Sequence, residues 1–152
     1  MPFTAAQKIG DQLRRYVKGA RSERELLSHL VGLDYSVMRS AGSGVNSISP
    51  DLIAFRAGKG YAFECKAWDS GSISIPIDKF ESLQRWEGNT GMQTYLAWRM
   101  SGGAWYFIKL NEMNRAKVNY TVTSREAKRI NRCLDIFKNE GTENKVYGVT
   151  NG

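Results

Sequence analysis

The chain has 152 residues, 41% of them hydrophobic and 24% charged, enough to bury one core without staples and too balanced for wholesale disorder. Its 22 Lys and Arg against 15 Asp and Glu leave a charge of +7 and a pI near 9.5, a bias toward a polyanionic partner that many other basic proteins share. Cys65 and Cys133 fit neither a zinc spacing nor a disulfide framework, no apolar run nears the roughly 18 residues that span a bilayer, and the N-terminus lacks a signal-peptide core, so a soluble cytoplasmic protein with no membrane partner is expected.

From Thr4, a plausible N-cap, Ile9, Leu13, Tyr16 and Val17 recur at helical spacing to about residue 17. Lys18-Gly19 reads as an interruption, followed by a second helix over about 20–31 with Leu26, Leu27, Leu30 and Val31 on its inner stripe. Glu23 stands three and four residues before Leu26 and Leu27, so its carboxylate points along the apolar seam; a first-turn Glu favoured by the helix dipole is the plain alternative. His29, the only histidine, falls beside apolar neighbours on the same helix and reads as structural. After Gly32, "DYSVMRS" reads as a strand and "AGSGVNSIS" as a loop.

"PDLIAFRAGKGYAFECKAWD" then reads as two apolar strands folded back on a Gly-Lys-Gly turn. "ISIPIDKFESLQRWEG" passes from an extended stretch through Pro76 into a helix with Phe80, Leu83 and Trp86 on one side. "TYLAWRM" and "AWYFIKL" are two further strands joined by Ser101-Gly102-Gly103. Trp86, Trp98 and Trp105 fall in regular apolar patterns and read as core or subunit interface. Thr123-Ser124-Arg125-Glu126 is a capping box that opens a helix with Ile130, Leu134 and Phe137 as its inner face. Helices flanking a central, mostly antiparallel sheet give an α/β domain over 1–138, with a polar and flexible tail expected over 139–152.

The hairpin carries Asp51, Glu64 and Lys66 in otherwise apolar strands, where an unpartnered buried charge costs several kcal/mol. A turn at 57–60, or the tighter Gly58-Lys59, sets Arg56 across from Tyr61, Ile53 across from Glu64 and Asp51 across from Lys66, so that all three charges share one sheet face. A three-residue loop would throw Asp51 to the other side. An exposed cross-strand salt bridge is the competing reading, against which stand the apolar neighbours on both faces and Pro50, which fixes the approach to Asp51. Two adjacent carboxylates repel unless protonated or neutralised, and where all the ligands are oxygens a hard cation such as Mg²⁺ is the usual neutraliser. Asp51, Glu64 and the carbonyl of Cys65 are the candidate metal ligands. Lys66 is placed to orient or help deprotonate an attacking water and to stabilise a pentacovalent phosphate. That chemistry is phosphodiester hydrolysis.

"PD" at 50–51 followed by "ECK" at 64–66 resembles the PD-(D/E)xK nuclease signature, and with "KGARSERELLSHL" at 18–30 and "VMRSAGSG" at 37–44 in order, the chain resembles the archaeal-type Holliday junction resolvases, including those of archaeal viruses, over about 18–110. The resemblance implies a restriction-endonuclease-like core and a homodimer without a small-molecule cofactor. It implies paired nicks in a four-way DNA junction that depend on Mg²⁺, with Mn²⁺ as a substitute, in an archaeal cell or a virus-infected host. It carries the family's helix carboxylate onto Glu23, reaching the metal through water, its metal ligands onto Asp51 and Glu64, and its catalytic lysine onto Lys66. The supporting loop serine falls on Ser43, and phosphate-contacting arginines fall on Arg24 and Arg39. The loop through "GVNSIS" is longer than in the shortest members, and Lys79 stands where relatives carry a glutamine, which makes it a candidate DNA contact in a stretch that has lost the usual basic residues. A nuclease of other branched, nicked or duplex DNA is the second reading, and a non-catalytic DNA-binding protein with a structural acidic cluster is the third.

Overall fold

A computed structural model describes residues 2–40 and 48–138. The expected flexible tail at 139–152 and the loop serine Ser43 lie outside the described residues.

The helix α1 (Ala5–Gly32) opens with a capping box in which Thr4 Oγ1 accepts from Gln7 N at 3.2 Å and Gln7 Oε1 accepts from Thr4 N at 2.8 Å. The break expected at Lys18-Gly19 does not occur. A lone glycine costs about 1 kcal/mol in a helix interior, too little to interrupt a run flanked by good helix formers. The stripe expected to face inward in the first half is also outside: Ile9, Leu13, Tyr16 and Val17 are 54–75% exposed, because α1 meets the sheet only from Ser22, Leu26 and Leu30 onward.

The strands β1 (Ser36–Arg39), β2 (Leu52–Arg56) and β3 (Lys59–Ala67) form a meander, and β3 then pairs in parallel with β5 (Gln93–Arg99), which pairs antiparallel with β6 (Trp105–Lys109). The order in the main sheet is β1-β2-β3-β5-β6. Parallel pairing of β3 with β5 needs a crossover. The strand β4 (Ser72–Pro76) and the helix α2 (Ile77–Thr90) supply it.

Both faces of this sheet are covered. Leu52, Ala54, Phe63 and Phe107 pack with Leu26 and Leu30 of α1, while Leu96, Trp98 and Ile108 pack on the other side with Phe80 and Leu83 of α2. Each of the Leu, Ile and Phe side chains contributes about 1.5–3 kcal/mol by leaving water. Trp98 and Trp105 are core residues as expected, and Trp86 is only half-buried.

A second, three-stranded sheet was not foreseen from the sequence. It joins β4 to β8 (Asn119–Thr123) and β8 to β7 (Asn114–Arg115), and it adds Ile73, Ile75 and Val122 to the α2 side of the core. The capping box at Thr123 does start a helix, α3 (Ser124–Ile130), but the expected continuation through Leu134 and Phe137 is corrected by Asn131, which turns into the left-handed region at φ 51°. A 3₁₀ turn over Leu134–Phe137 follows, and it still delivers Phe137, 1% exposed, against Tyr61, Phe63 and Phe107. The result is an α/β fold with a central mixed, mostly antiparallel sheet flanked by helices, as expected.

Candidate active site

The turn between β2 and β3 is Ala57-Gly58, with φ of 49° and 81°, the doubly positive pair of a type I′ hairpin. Arg56 therefore pairs with Lys59, Ala54 with Tyr61 and Leu52 with Phe63. The expected partners Arg56 with Tyr61, Ile53 with Glu64 and Asp51 with Lys66 are thus displaced by two residues, because the turn takes Ala57 and leaves Lys59 in the strand. A shift of two keeps every side chain on its face. One step outward from Leu52 and Phe63 sets Asp51 opposite Glu64, and Glu64 and Lys66 lie beside Leu96 and Trp98 of β5, on the α2 side of the sheet.

Asp51 Oδ2 accepts a hydrogen bond from Cys65 N at 2.8 Å, which locks the carboxylate against the second strand. Its pKa is nonetheless raised, first by burial, with the Cys65 N–H, Lys79, Lys66 and a side-chain hydrogen bond with Glu64 opposing the rise. Glu64 is 7% exposed, and burial followed by repulsion from Asp51 pushes its carboxyl up to about 7. Among the described residues its Oε2 accepts no well-formed hydrogen bond, although Lys79 Nζ of α2 stands 3.3 Å away. Lys66, half-buried, makes no ion pair or hydrogen bond among the described residues, and its charge acts on both carboxyls.

Glu23 approaches from α1, and repulsion from Asp51 is the second cause, after burial, of its raised pKa. Its Oε2 accepts from Arg39 Nε at 3.0 Å, so two site candidates neutralise each other at the margin of the pair. Arg24 is exposed on the next position of the helix. A clasp with no sequence signature closes this corner: Ser40 and Ser49 hydroxyls meet at 2.8 Å, Ser40 N donates to Asp51 O at 2.9 Å, and Lys79 Nζ donates to Ser49 O at 3.0 Å. Those contacts join residues far apart in sequence, and only the folded chain shows them. His29, read as structural beside apolar neighbours, is half-exposed, with Nε2 3.8 Å from Glu25 Oε1.

The donor set fits a hard divalent cation. Two oxygen-only side chains converge, one of them with a buried oxygen short of partners, and among the described residues no third His, Cys, Asp or Glu completes a three-ligand cluster with them, so backbone oxygen and water would have to fill the other positions. An ion here would take Asp51, Glu64 and backbone oxygen, leaving room for water and phosphate. The Cys65 thiol belongs to the opposite, α1 face, where burial raises its pKa well above the ordinary value. Only its main chain faces the carboxylates.

The family model described as archaeal Holliday junction resolvase (Hjc) matches residues 14–142. The crossover junction endodeoxyribonuclease Hjc of Methanocaldococcus jannaschii is 35% identical over 112 residues, 73% of this chain and 80% of that protein. That of Archaeoglobus fulgidus is 28% identical over 106 residues, 69% of this chain and 78% of that protein. The solved structure of Archaeoglobus fulgidus Hjc, a Holliday junction resolvase from an archaeal hyperthermophile, superposes with a TM-score of 0.67 at 25% identity, covering 74% of this chain and 88% of that one. With a family model that runs from within α1 past the 3₁₀ turn and relatives that share most of its length, this chain belongs to the archaeal Holliday junction resolvase family.

Proposed function

We propose that the protein is a structure-selective endodeoxyribonuclease that resolves four-way DNA junctions by metal-dependent hydrolysis, as a homodimer making paired nicks, in the cytoplasm of an archaeal cell or of a virus-infected host. The observation that carries this reading is the facing pair Asp51 and Glu64 with Lys66 on the same side of a register-locked hairpin. The relatives' names, crossover junction endodeoxyribonuclease, supply the substrate class.

Asp51, Glu64 and the Cys65 carbonyl are the proposed holders of Mg²⁺ or Mn²⁺, with Glu23 reaching it through water. When bound, the ion supplies Lewis-acid stabilisation of the charge that grows on the phosphate. The protein's own groups do the rest. Lys66 brings a partly desolvated ammonium to the side of the attacked phosphate, where it orients the attacking water and offsets negative charge, while the water's proton passes to solvent. Asp51 stays fixed by the Cys65 N–H, so its position is set before substrate arrives. Lys79, Arg39 and Arg24 are the proposed phosphate contacts, and Ser43 is the proposed supporting hydroxyl.

Incubating the purified protein with an end-labelled four-way junction and Mg²⁺ tests the reading. Symmetric nicks are expected near the branch, with Asp51→Asn and Glu64→Gln binding the junction but not cutting it. Wild-type protein that binds the junction and leaves it intact, or an Asp51→Asn variant that cuts normally, rejects it. Preference for a nicked or linear duplex in competition would assign the site to another DNA structure.

A further inference from the structure

On the far side of Lys66 from Asp51, α1 and the connection from β3 to β4 enclose a groove of about 880 Å³, lined among others by Arg15, Lys18, Lys66, Trp68 and Asp69. Trp68 is the feature in it that burial does not explain. It is 39% exposed, while Trp98 and Trp105 are packed away.

Its main chain is nevertheless fixed. The fully buried Trp98 donates its indole N–H to the Trp68 carbonyl at 3.0 Å, and the next residue, Asp69, accepts from Lys18 Nζ at 2.5 Å and from Ser101 Oγ at 2.6 Å. The ring is steadied in turn by the Arg15 guanidinium, 5.1 Å from its centroid. An aromatic surface held out on a rigid backbone loses little freedom when something stacks on it. With Arg15 and Lys66 against the already paired Lys18 and Asp69, the groove is net positive, which suits a polyanion.

Trp68 also follows Lys66 by two residues, about 7 Å along an extended chain, and both line the one groove. A strand whose phosphate sits at Lys66 thus passes its neighbouring nucleotide over the indole. A base inside a continuous duplex has both faces covered by its neighbours, whereas a base at a branch point can offer one. We propose that Trp68, braced by Arg15, is a stacking platform for an unstacked base beside the cleaved phosphate, and that this contact favours branched over linear DNA. The proposal rests on the nuclease reading of the carboxylate site and names the element that gives it structure selectivity.

The test measures binding rather than cutting, in chelator, with full-length protein, a four-way junction and a linear duplex of matching arm sequence. Trp68→Ala should weaken junction binding by about 5- to 100-fold, the range for losing one base–aromatic stack, and duplex binding by less than about twofold. Trp68→Phe should restore most of the loss, and Arg15→Met should give an intermediate effect. A 2-aminopurine at the branch should be quenched by wild type and brighter with Trp68→Ala. Because the bond that holds this segment uses the Trp68 carbonyl, both variants keep it. Equal losses on both DNAs, or no loss on either, overturn the proposal. A wild-type protein that discriminates between the DNAs through Trp68 but never cuts would instead reject the nuclease reading alone.

Discussion

Asp51 and Glu64 face each other across β2 and β3 and are asymmetric in charge: the Cys65 N–H at 2.8 Å favours the carboxylate form of Asp51, while burial and that neighbour push Glu64 up to about 7. In the metal-free protein the pair therefore retains a proton in mild acid and releases it around neutral pH. Protons and a divalent ion compete for the same oxygens.

The sign of the resulting pH dependence follows from that raised value. Below the unfolded carboxyl's ordinary 4.5 both states are protonated and Glu64 has no effect on stability. Between there and about 7 the unfolded chain has released the proton and the folded one has not, so stability falls as pH rises, by about 3 kcal/mol in all, and is flat above. Urea melts of metal-free protein at pH 4.5 and pH 8 should show the wild type losing more than Glu64→Gln over that span. Identical losses would mean that Glu64 is not raised.

Lys79 Nζ, 3.3 Å from Glu64 Oε2, puts a positive charge beside the carboxylates proposed to hold a cation. Lys79→Met should tighten Mn²⁺ binding by roughly tenfold, since removing a unit positive charge next to the carboxylates that would hold the ion is worth about 1 kcal/mol or more even in a polarisable site. In the same variant the salt dependence of junction binding should lose about one unit of slope, as for any lost phosphate contact. Calorimetric Mn²⁺ titration and binding isotherms over a salt series read the two effects separately. A variant unchanged in both leaves Lys79 with a purely structural role on Ser49 and Glu64.

Arg132 closes the C-terminal segment onto the sheet edge. Its guanidinium forks onto Glu112 with both contacts at 2.8 Å and donates to Phe107 O at 2.9 Å, while its own carbonyl accepts from Phe107 N at 2.8 Å. The fork holds the Glu112 carboxyl below the ordinary range against the opposing effect of partial burial. Arg132→Ala should cost about 2 kcal/mol in urea melts, and Arg132→Lys should recover less than half of it, since an ammonium cannot make the planar double contact. Full recovery by lysine would reduce the contact to simple charge pairing.

Much of this site was legible in the sequence because strand alternation has period two. Knowing that Asp51, Glu64 and Lys66 lie in a hairpin fixes their shared face for any even-numbered error in register, and the error was two. The register itself was not legible, because the turn asks Ala57, not a glycine, to take positive φ. Nor was the continuity of α1, where a modest local penalty at Gly19 competes with neighbours that favour helix. The strand β8 is short and polar on one face, and only its partner β4 makes it a strand. Pairings such as Glu23 with Arg39 and Lys79 with Glu64 come from elements that meet only in the fold. Trp68 escaped notice because an exposed ring after a strand has no periodic signature.

The Ala57-Gly58 turn sets where every charge in the site falls, and its chemistry is improvable. A side chain at φ 49° bears a strain on the order of 1 kcal/mol, which asparagine tolerates better because its short amide bonds to the local backbone. Ala57→Asn should raise stability by about 0.5–1 kcal/mol with no effect on cutting, since the paired residues stay in place. Gly58→Ala should lower it by about 1–2 kcal/mol even though nothing lies within 4 Å of the added carbon, because φ there is 81° and the cost is conformational rather than steric. Inserting one residue after Gly58 is the decisive variant. It either rotates Asp51 to the α1 face or is absorbed as a bulge at the tip. Retained folding with lost cutting follows from the first, and retained cutting with extra protection-free amides at the tip, read by hydrogen exchange, follows from the second. Lost cutting in a chain whose β2–β3 amide pairing is unchanged would show that the hairpin register does not control the site.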